Sequence, residues 1–142
     1  CIFMLRELPS GKYLLFAMFA CTWSCDVFAY IMGSRWGRTS LCDNVSPKKT
    51  WEGFIGGVAG SLLSAGLFAY EIDLPPAHIL YIGIICGIVG QMGDLAESLL
   101  KREYGVKDSG DAIPGHGGVL DRFDSILING ILTYFLFAVV LR

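Results

Sequence analysis

Long apolar runs alternate with charged segments along the whole chain. Four runs of about 17–21 residues stand out: Tyr13–Gly33, Gly53–Tyr70, Leu74–Gly93 and Ser125–Leu141. A helix needs about 20 apolar residues to cross the hydrocarbon core of a bilayer. Because lipid offers the backbone no hydrogen-bond partners, runs that cross it must be helical. The pattern therefore predicts an all-α transmembrane bundle of about four spanning helices, with residues 1–142 forming a single integral membrane domain.

The composition agrees with this prediction. Hydrophobic residues make up 54% of the 142 residues and charged residues only 17%, whereas a soluble domain carries about 25% charged residues. Buried helices of a soluble protein are the alternative, but almost no amphipathic sequence is left to cover them. No secretory signal opens the chain, which begins with Cys1. We therefore expect an internal piece of a longer protein.

Small residues and scattered cysteines occupy the interiors of the runs. The small residues recur about four apart and favour close helix–helix contact in lipid; they include Gly56, Gly57, Gly60, Ser61, Ser64, Ala65, Gly83 and Gly87. Cys21 and Cys25 lie one helical turn apart, but no second Cys or His pair is near in sequence. We therefore expect these cysteines to pack in the bundle rather than to hold a metal or form disulfides.

The charges of the connecting segments predict the orientation of the bundle. Basic residues lie between the first two runs and between the last two: Arg35, Arg38, Lys48 and Lys49, then Lys101, Arg102, Lys107 and Arg122. The short link 71–76 contains neither Lys nor Arg. Since loops rich in Lys and Arg stay in the cytoplasm, both long loops are expected on the cytoplasmic side.

Acidic residues at two helix ends predict a cation site on that side. Asp94 directly follows the third run, where an unpaired carboxylate is costly and usually functional. If this helix continues, Asp94, Ser98 and Lys101 share one face. Asp121 and Asp124 lie one turn apart where the last helix begins. Mg²⁺ binds one or two carboxylates together with water and substrate phosphate oxygens, so this arrangement suits phosphoryl or nucleotidyl transfer.

Two further segments could contact phosphates. In the sequence PGHGG, residues 114–118, glycines let backbone amides approach an anion, and His116 can donate or accept a hydrogen bond. A purely structural loop role for His116 is the alternative. Ser46-Pro47 predicts a helix or turn start, followed by Lys48 and Lys49, which are either phosphate or headgroup ligands or ordinary cytoplasmic lysines.

Asp26 lies midway along the first run. A carboxylate at that depth needs a partner or a water-filled cavity. We therefore expect Asp26 to point inward, toward the site or a neighbouring helix, with the site as the favoured direction.

These residues resemble a known pattern. Residues 98–124 read SLLKREYGVKDSGDAIPGHGGVLDRFD, which is similar to the signature motif of the phosphatidate cytidylyltransferase (CDP-diacylglycerol synthase) family, with every position filled. Three upstream elements also resemble that family: Asp26 to Gly33, Ser46 to Gly53, and Gly93 to Ser98. The likeness covers nearly the whole chain and corresponds to the C-terminal portion of such an enzyme, so it implies that the N-terminal transmembrane half is missing here.

The resemblance implies a Mg²⁺-dependent reaction of CTP with phosphatidate that gives CDP-diacylglycerol and pyrophosphate. It implies that Asp94 and Asp121 hold Mg²⁺, with room for a monovalent cation such as K⁺ beside it. Catalytic roles are expected for Ser98, Lys101, His116 and Asp124. Substrate binding is expected from Lys48, Lys49, Arg102, Lys107, Gly117, Gly118 and Arg122.

The same likeness implies a setting for the enzyme. We expect a multi-pass protein of a bacterial inner membrane whose site faces the cytoplasm. Its partners would be CTP, phosphatidate and the lipid bilayer, with a homodimer as an option and no nucleic acid.

Two rival functions stay open on the sequence alone. One is a CTP-dependent kinase for a polyprenol or another lipid alcohol, which would need a base for the hydroxyl. The other is an ion transporter in which Asp26 and Asp94 bind the ion. The transporter is disfavoured, because the glycine-rich loop and the DRFD sequence of residues 121–124 have no role in it.

Replacing either predicted metal ligand should abolish activity. We expect Asp94→Asn and Asp121→Asn each to reduce turnover to near zero, because a neutral amide removes charge that holds the cation. The bundle should stay folded. Steady-state kinetics on each purified variant test this expectation, and wild-type turnover in either one would exclude that residue as a ligand.

Overall fold

A computed structural model describes residues 2–42, 46–71, 75–105 and 120–140. Its elements, in chain order, are α1 (Ile2–Arg6), α2 (Gly11–Trp36), β1 (Ser40–Cys42), β2 (Ser46–Thr50), α3 (Trp51–Glu71), α4 (Pro76–Ile84), a first π turn (Ile85–Val89), α5 (Gly90–Glu103), α6 (Leu120–Phe135) and a second π turn (Leu136–Val140). The all-α class is confirmed, and one short β-hairpin between α2 and α3 was not predicted.

Three stretches of helix are long and apolar enough to cross a membrane. They are Gly11–Trp36, Trp51–Tyr70 and Pro76–Glu103. The third runs for 28 residues through α4, the first π turn and α5, so the predicted continuation beyond Asp94 is confirmed. Of the fourth predicted span, the described apolar part is the shorter helix Ser125–Val139, which leaves the count of four as a prediction.

The outer surface of the bundle is strongly apolar. Phe16, Trp23 and Leu67 are 69%, 64% and 75% exposed, respectively. In water a surface rich in large exposed apolar side chains would mark an interaction site or a liability. In a bilayer the lipid chains cover such residues, so the exposure fits the membrane assignment.

Small residues set the spacing between helices, as the sequence predicts. A Cβ atom on Gly83 would lie 2.8 Å from the Cβ of Ala65, and one on Gly87 would lie 3.2 Å from the Cβ of Ser61. The Ser61 hydroxyl donates to the carbonyl of Gly83 over 2.8 Å. The α3 helix and the third spanning helix therefore pack backbone against backbone, where a larger side chain has no room.

Buried polar side chains join the helices across the core. Asn129 of α6 donates through Nδ2 to Oγ1 of Thr22 on α2 over 3.0 Å. The Thr22 hydroxyl in turn donates to the carbonyl of Met18. A Cβ on Gly90 would come within 2.8 Å of Asn129 Nδ2, so three helices meet at this amide.

The cysteines of the core behave as packing residues. Cys21, Cys25 and Cys86 are buried and carry free thiols. Cys25 Sγ contacts the backbone carbonyl of Gly87, and Cys86 Sγ contacts the backbone carbonyl of Met18. Each of these two thiols thus reaches a neighbouring helix. The predicted packing role is confirmed for these three.

The close contact at Gly83 predicts a position-specific effect of a larger residue. Gly83→Leu should lower the free energy of unfolding by about 1–3 kcal/mol, because the Ala65 Cβ cannot rotate away and the helices must separate. Gly66→Leu is the matched control on α3, since a Cβ there meets nothing within 4 Å. Unfolding of both variants in mixed detergent micelles measures the difference, and equal losses would contradict the packing argument.

Candidate active site

The segment that carries the two lysines is a β-hairpin, not the predicted helix or turn start at Ser46-Pro47. Strand β2 pairs antiparallel with β1, with Ser40 opposite Thr50 and Cys42 opposite Ser46. Proline is tolerated in a strand that lies at a sheet edge, and among the described residues this sheet consists of two strands. The prediction failed because the partner strand β1 carries no strong strand signal in the sequence.

The α3 helix begins only after Thr50. The Gly53 N–H donates to Oγ1 of Thr50 over 3.1 Å, which caps the first turn of the helix. The Trp51 N–H donates to the carbonyl of Thr39, and the Thr39 N–H donates to a carboxylate oxygen of Glu52. The hairpin is thereby fixed to the first turn of α3.

The α2 and α3 helices approach most closely beside this cap. A Cβ atom on Gly53 would lie 2.9 Å from the carbonyl oxygen of Ala29 and 3.3 Å from Cα of Gly33. Only glycine fits such an approach. The contact holds the hairpin over the end of α2, and it defines one wall of a cavity.

That cavity has a volume of about 490 Å³ and lies between α2, the hairpin, the start of α3 and the third spanning helix. Its charged lining consists of Asp26, Lys48, Lys49 and Asp94. Its apolar lining includes Tyr30, Leu41 and Phe54. A cavity with both signs of charge and an apolar wall can take a ligand that is anionic at one end and apolar at another.

Lys49 and Asp94 form an ion pair across the cavity. Lys49 Nζ lies 2.7 Å from Asp94 Oδ2, and the two side chains are 28% and 37% exposed. The Nζ atom itself is shielded from solvent. The pair joins the first long loop to the third spanning helix, which confirms that these two segments share one end of the bundle.

Asp26 lies on the side of α2 that faces the candidate site, the direction that the sequence favoured. Its side chain lines the same cavity as Asp94, although the two residues belong to different helices. Lys48 also lines the cavity and is exposed. The tertiary structure therefore brings together two carboxylates and two ammonium groups from three parts of the chain.

Other predicted residues on α5 lie beyond the cavity. Ser98, Lys101 and Arg102 occupy the last turns of α5, and none of them is among the residues that line the cavity. Lys101 Nζ lies 3.2 Å from Glu97 Oε1, one turn back along the helix. Since α5 is continuous to Glu103, Ser98 and Lys101 share a face with Asp94 as predicted.

The remaining predicted residues fall outside the described part of the structure. They are Lys107, His116, Gly117 and Gly118. The backbone of residues 121–124 belongs to the first turn of α6, as predicted, but the side chains of Asp121, Arg122 and Asp124 are not described. A cation shared by Asp94 and Asp121 therefore stays a prediction.

The described residues suit a hard divalent cation in their chemistry. Among the side chains that the structure describes, which do not include those of Asp121 and Asp124, no group of three or more His, Cys, Asp or Glu is placed to hold a metal ion. Mg²⁺ does not need one, because it binds one or two carboxylates and takes water and phosphate oxygens for the rest. Asp26 and Asp94 supply carboxylates in one cavity. One oxygen of the Asp94 carboxylate forms an ion pair with Lys49 Nζ.

Sequence reasoning missed Gln91 as a residue of the cavity. Its side-chain amide donates to the carbonyl of Phe54 over 3.1 Å and to the carbonyl of Gly87. The available signal was an amide inside an apolar run, three residues before Asp94. Uncharged polar residues in a spanning helix normally bond to a neighbouring helix, so this signal deserved the same weight as a charge.

The sequence profile of the cytidylyltransferase family matches residues 1–140. The chain belongs to the cytidylyltransferase family. It is similar to the phosphatidate cytidylyltransferase of Synechocystis sp., with 48% identity over 96% of this chain and 47% of the relative. The Bacillus subtilis phosphatidate cytidylyltransferase is 45% identical over 88% of this chain and 48% of its own length. The Rickettsia bellii enzyme of the same name is 38% identical over 95% and 62%, respectively.

The chain spans about half the length of the first two of these relatives. Family membership and the three long apolar helices together make it part of the integral membrane class. The cavity that Asp26, Lys49 and Asp94 line is the candidate active site of this family member.

The Lys49–Asp94 pair should matter more for activity than for stability. Partly exposed ion pairs contribute about 0–1 kcal/mol to folding, because water already solvates both charges and two side chains must be ordered. A double-mutant cycle with Lys49→Ala and Asp94→Ala should give a coupling free energy below about 1 kcal/mol in unfolding. Each single variant should nevertheless lose most turnover. A larger coupling with retained turnover would mean that the pair is structural.

Proposed function

We propose that this family member transfers the cytidylyl group of CTP to phosphatidate and releases pyrophosphate, with CDP-diacylglycerol as the product. The supporting observation is the cavity in which Lys48, Lys49 and two carboxylates meet, between α2, the start of α3 and the third spanning helix. The similar proteins from Synechocystis sp. and Bacillus subtilis bear the name phosphatidate cytidylyltransferase.

The reaction is an in-line displacement at the α-phosphorus of CTP. An oxygen of the lipid phosphate forms a new bond to this phosphorus, and the bond to the β-phosphate oxygen breaks. Both reactants are anions, so the protein must neutralise charge and align the two phosphates. No dedicated base is required, since the second pKa of a phosphomonoester is about 6 and the attacking oxygen is already ionised near neutral pH.

The residues of the cavity match these tasks. Lys48 is exposed at the cavity and can contact the triphosphate as a point charge. Lys49 holds the Asp94 carboxylate in one orientation across 2.7 Å. Mg²⁺, when bound, would supply positive charge at the phosphate oxygens, with Asp94 and Asp121 as its proposed protein ligands.

Residues beyond the described cavity complete the proposal. Ser98, Lys101, His116 and Asp124 are proposed to act in catalysis, and the family motif that contains them supports this. Binding of the phosphates is proposed for Arg102, Lys107, Gly117, Gly118 and Arg122. A monovalent cation beside Mg²⁺ and a homodimer are further proposals, which anomalous scattering and the detergent-corrected mass in solution can test.

The position of the site suits reactants of opposite solubility. CTP arrives from water, whereas the acyl chains of phosphatidate stay in the bilayer. The apolar lining at Tyr30, Leu41 and Phe54 borders the charged part of the same cavity. We propose a bacterial inner membrane with the site on its cytoplasmic side, which the basic loops support.

Labelled CTP tests the proposed reaction. The full-length protein in detergent is incubated with phosphatidate and CTP that carries a radiolabel on the α-phosphate. Label in the lipid product and release of pyrophosphate support cytidylyl transfer. In a parallel incubation with a polyprenol in place of phosphatidate, label that stays on CDP while the alcohol becomes phosphorylated would replace the proposal by the kinase. Absence of any pyrophosphate release would overturn the nucleotidyltransferase.

Loss of the exposed lysine should weaken binding more than chemistry. We expect Lys48→Ala to raise KM for CTP several-fold with a smaller change in kcat, because a point charge on the triphosphate acts similarly in the ground and transition states. Lys12→Ala is the matched control, since Lys12 is also exposed and lies at the opposite end of α2. Initial rates over a range of CTP concentrations measure both parameters, and an unchanged KM would remove Lys48 from the site.

A further inference from the structure

The third spanning helix changes its hydrogen-bonding pattern just before the site. In the π turn Ile85–Val89 the Gly90 N–H donates to the carbonyl of Ile85, five residues back rather than four. Such turns widen the helix by one residue and are frequent near functional sites. Because one residue of an α-helix corresponds to about 100° of rotation, the π turn sets the direction in which Asp94 leaves the helix.

The carboxamide of Gln91 joins this π turn to α3. Its Nε2 atom donates to the carbonyl of Gly87, within the π turn, and to the carbonyl of Phe54, in the first turns of α3, over 3.1 Å. Two carbonyl acceptors require the NH₂ end of the amide at this place. Both contacts between the two segments are therefore lost together if the NH₂ group is removed.

The neighbouring backbone is shaped for this amide. A Cβ on Gly57 would lie 2.9 Å from Gln91 Nε2 and 3.0 Å from Cys25 Sγ. The amide therefore occupies a junction of α2, α3 and the third spanning helix, where only glycine leaves it room.

The same two segments carry the ion pair of the site. Asp94 follows Gln91 by less than one helical turn, and Lys49 precedes the capped start of α3 by two residues. The distance of 2.7 Å between Lys49 Nζ and Asp94 Oδ2 thus depends on how the π turn sits against the start of α3. The Gln91 side chain donates a hydrogen bond to each of these two segments, the π turn and the start of α3.

We propose that Gln91 is a positioning residue that holds the π turn against α3, so that Asp94 faces Lys49 across the cavity. As far as it concerns catalysis, the inference rests on the proposed cytidylyl transfer. The geometric part does not depend on the reaction. The Gln91 amide fixes Asp94 through the backbone and does not need to touch the substrate.

Gln91→Met tests the catalytic part, since methionine keeps the length and removes both donors. In the full-length protein, kcat should fall between about tenfold and a hundredfold, the loss caused by a misplacement of about 1 Å. KM for CTP should stay within about twofold, because the lysines that bind it are unchanged. Asn129→Leu is the matched control, since it also removes a buried interhelical amide. It should leave kcat unchanged even where it lowers stability.

A cross-linking rate tests the geometry without any activity. Lys49→Cys and Asp94→Cys are combined in a background that lacks the other accessible cysteines, and a short bifunctional methanethiosulfonate joins them. Adding Gln91→Met should slow this cross-link several-fold, whereas adding Asn129→Leu should not. An unchanged rate with Gln91→Met, or equal slowing by both, would overturn the positioning role.

Two further results separate the positioning role of Gln91 from the proposed cytidylyl transfer. If Gln91→Met does not fold, Gly57→Ala displaces the amide while keeping its donors, and the same fall in kcat and slower cross-link are expected. An unaffected Gly57→Ala variant would count against the inference. A slowed cross-link in a protein that transfers no cytidylyl group would support the role of Gln91 and reject the proposed reaction.

Discussion

Lipid cannot hydrogen-bond to a polar group, and the interior of this bundle follows from that constraint. Each polar side chain that enters the spanning helices must bond to the protein or remain unpaired at a high cost in free energy. The hydroxyl of Ser61 bonds to the carbonyl of Gly83, and the amide of Asn129 bonds to Thr22. These contacts need short distances between helices, so small residues line the helix interfaces. The hydrogen bonds between helices and the close packing of the helices therefore both follow from the inability of lipid to hydrogen-bond.

The site lies where this constraint weakens. At the end of α2 the chain leaves the apolar core, and a capped helix start and a hairpin bring Lys48 and Lys49 over the cavity. Charges that would be prohibitive in the core are partly solvated here, as the exposed fractions of Lys49 and Asp94 show. The proposed transfer joins a nucleotide from water to a lipid phosphate, and at this boundary neither reactant has to leave its own solvent.

The π turn connects the interior to the site. A regular α-helix through Ile85–Val89 would direct every later side chain differently, including Asp94. Gln91 bonds this turn to α3, since its amide donates to a carbonyl of each segment. On our proposal, the placement of Asp94 in the candidate site depends on this polar contact inside the bundle, so an uncharged residue matters as much as its charged neighbours.

The sequence by itself determined the helical class, three long spanning segments and the interfaces of small residues. Each of these follows from local composition and period, which lipid converts directly into structure. The long motif and the position of Asp94 after an apolar run also indicated the family and one end of the site. Only the tertiary structure decided that Lys49 reaches Asp94, that Asp26 shares their cavity, and that Gln91 ties α3 to the third spanning helix. Those contacts join residues far apart in the chain, and their geometry depends on a β-hairpin and a π turn. Neither the hairpin nor the π turn has a distinct amino-acid composition, because each forms only where it packs against neighbouring helices.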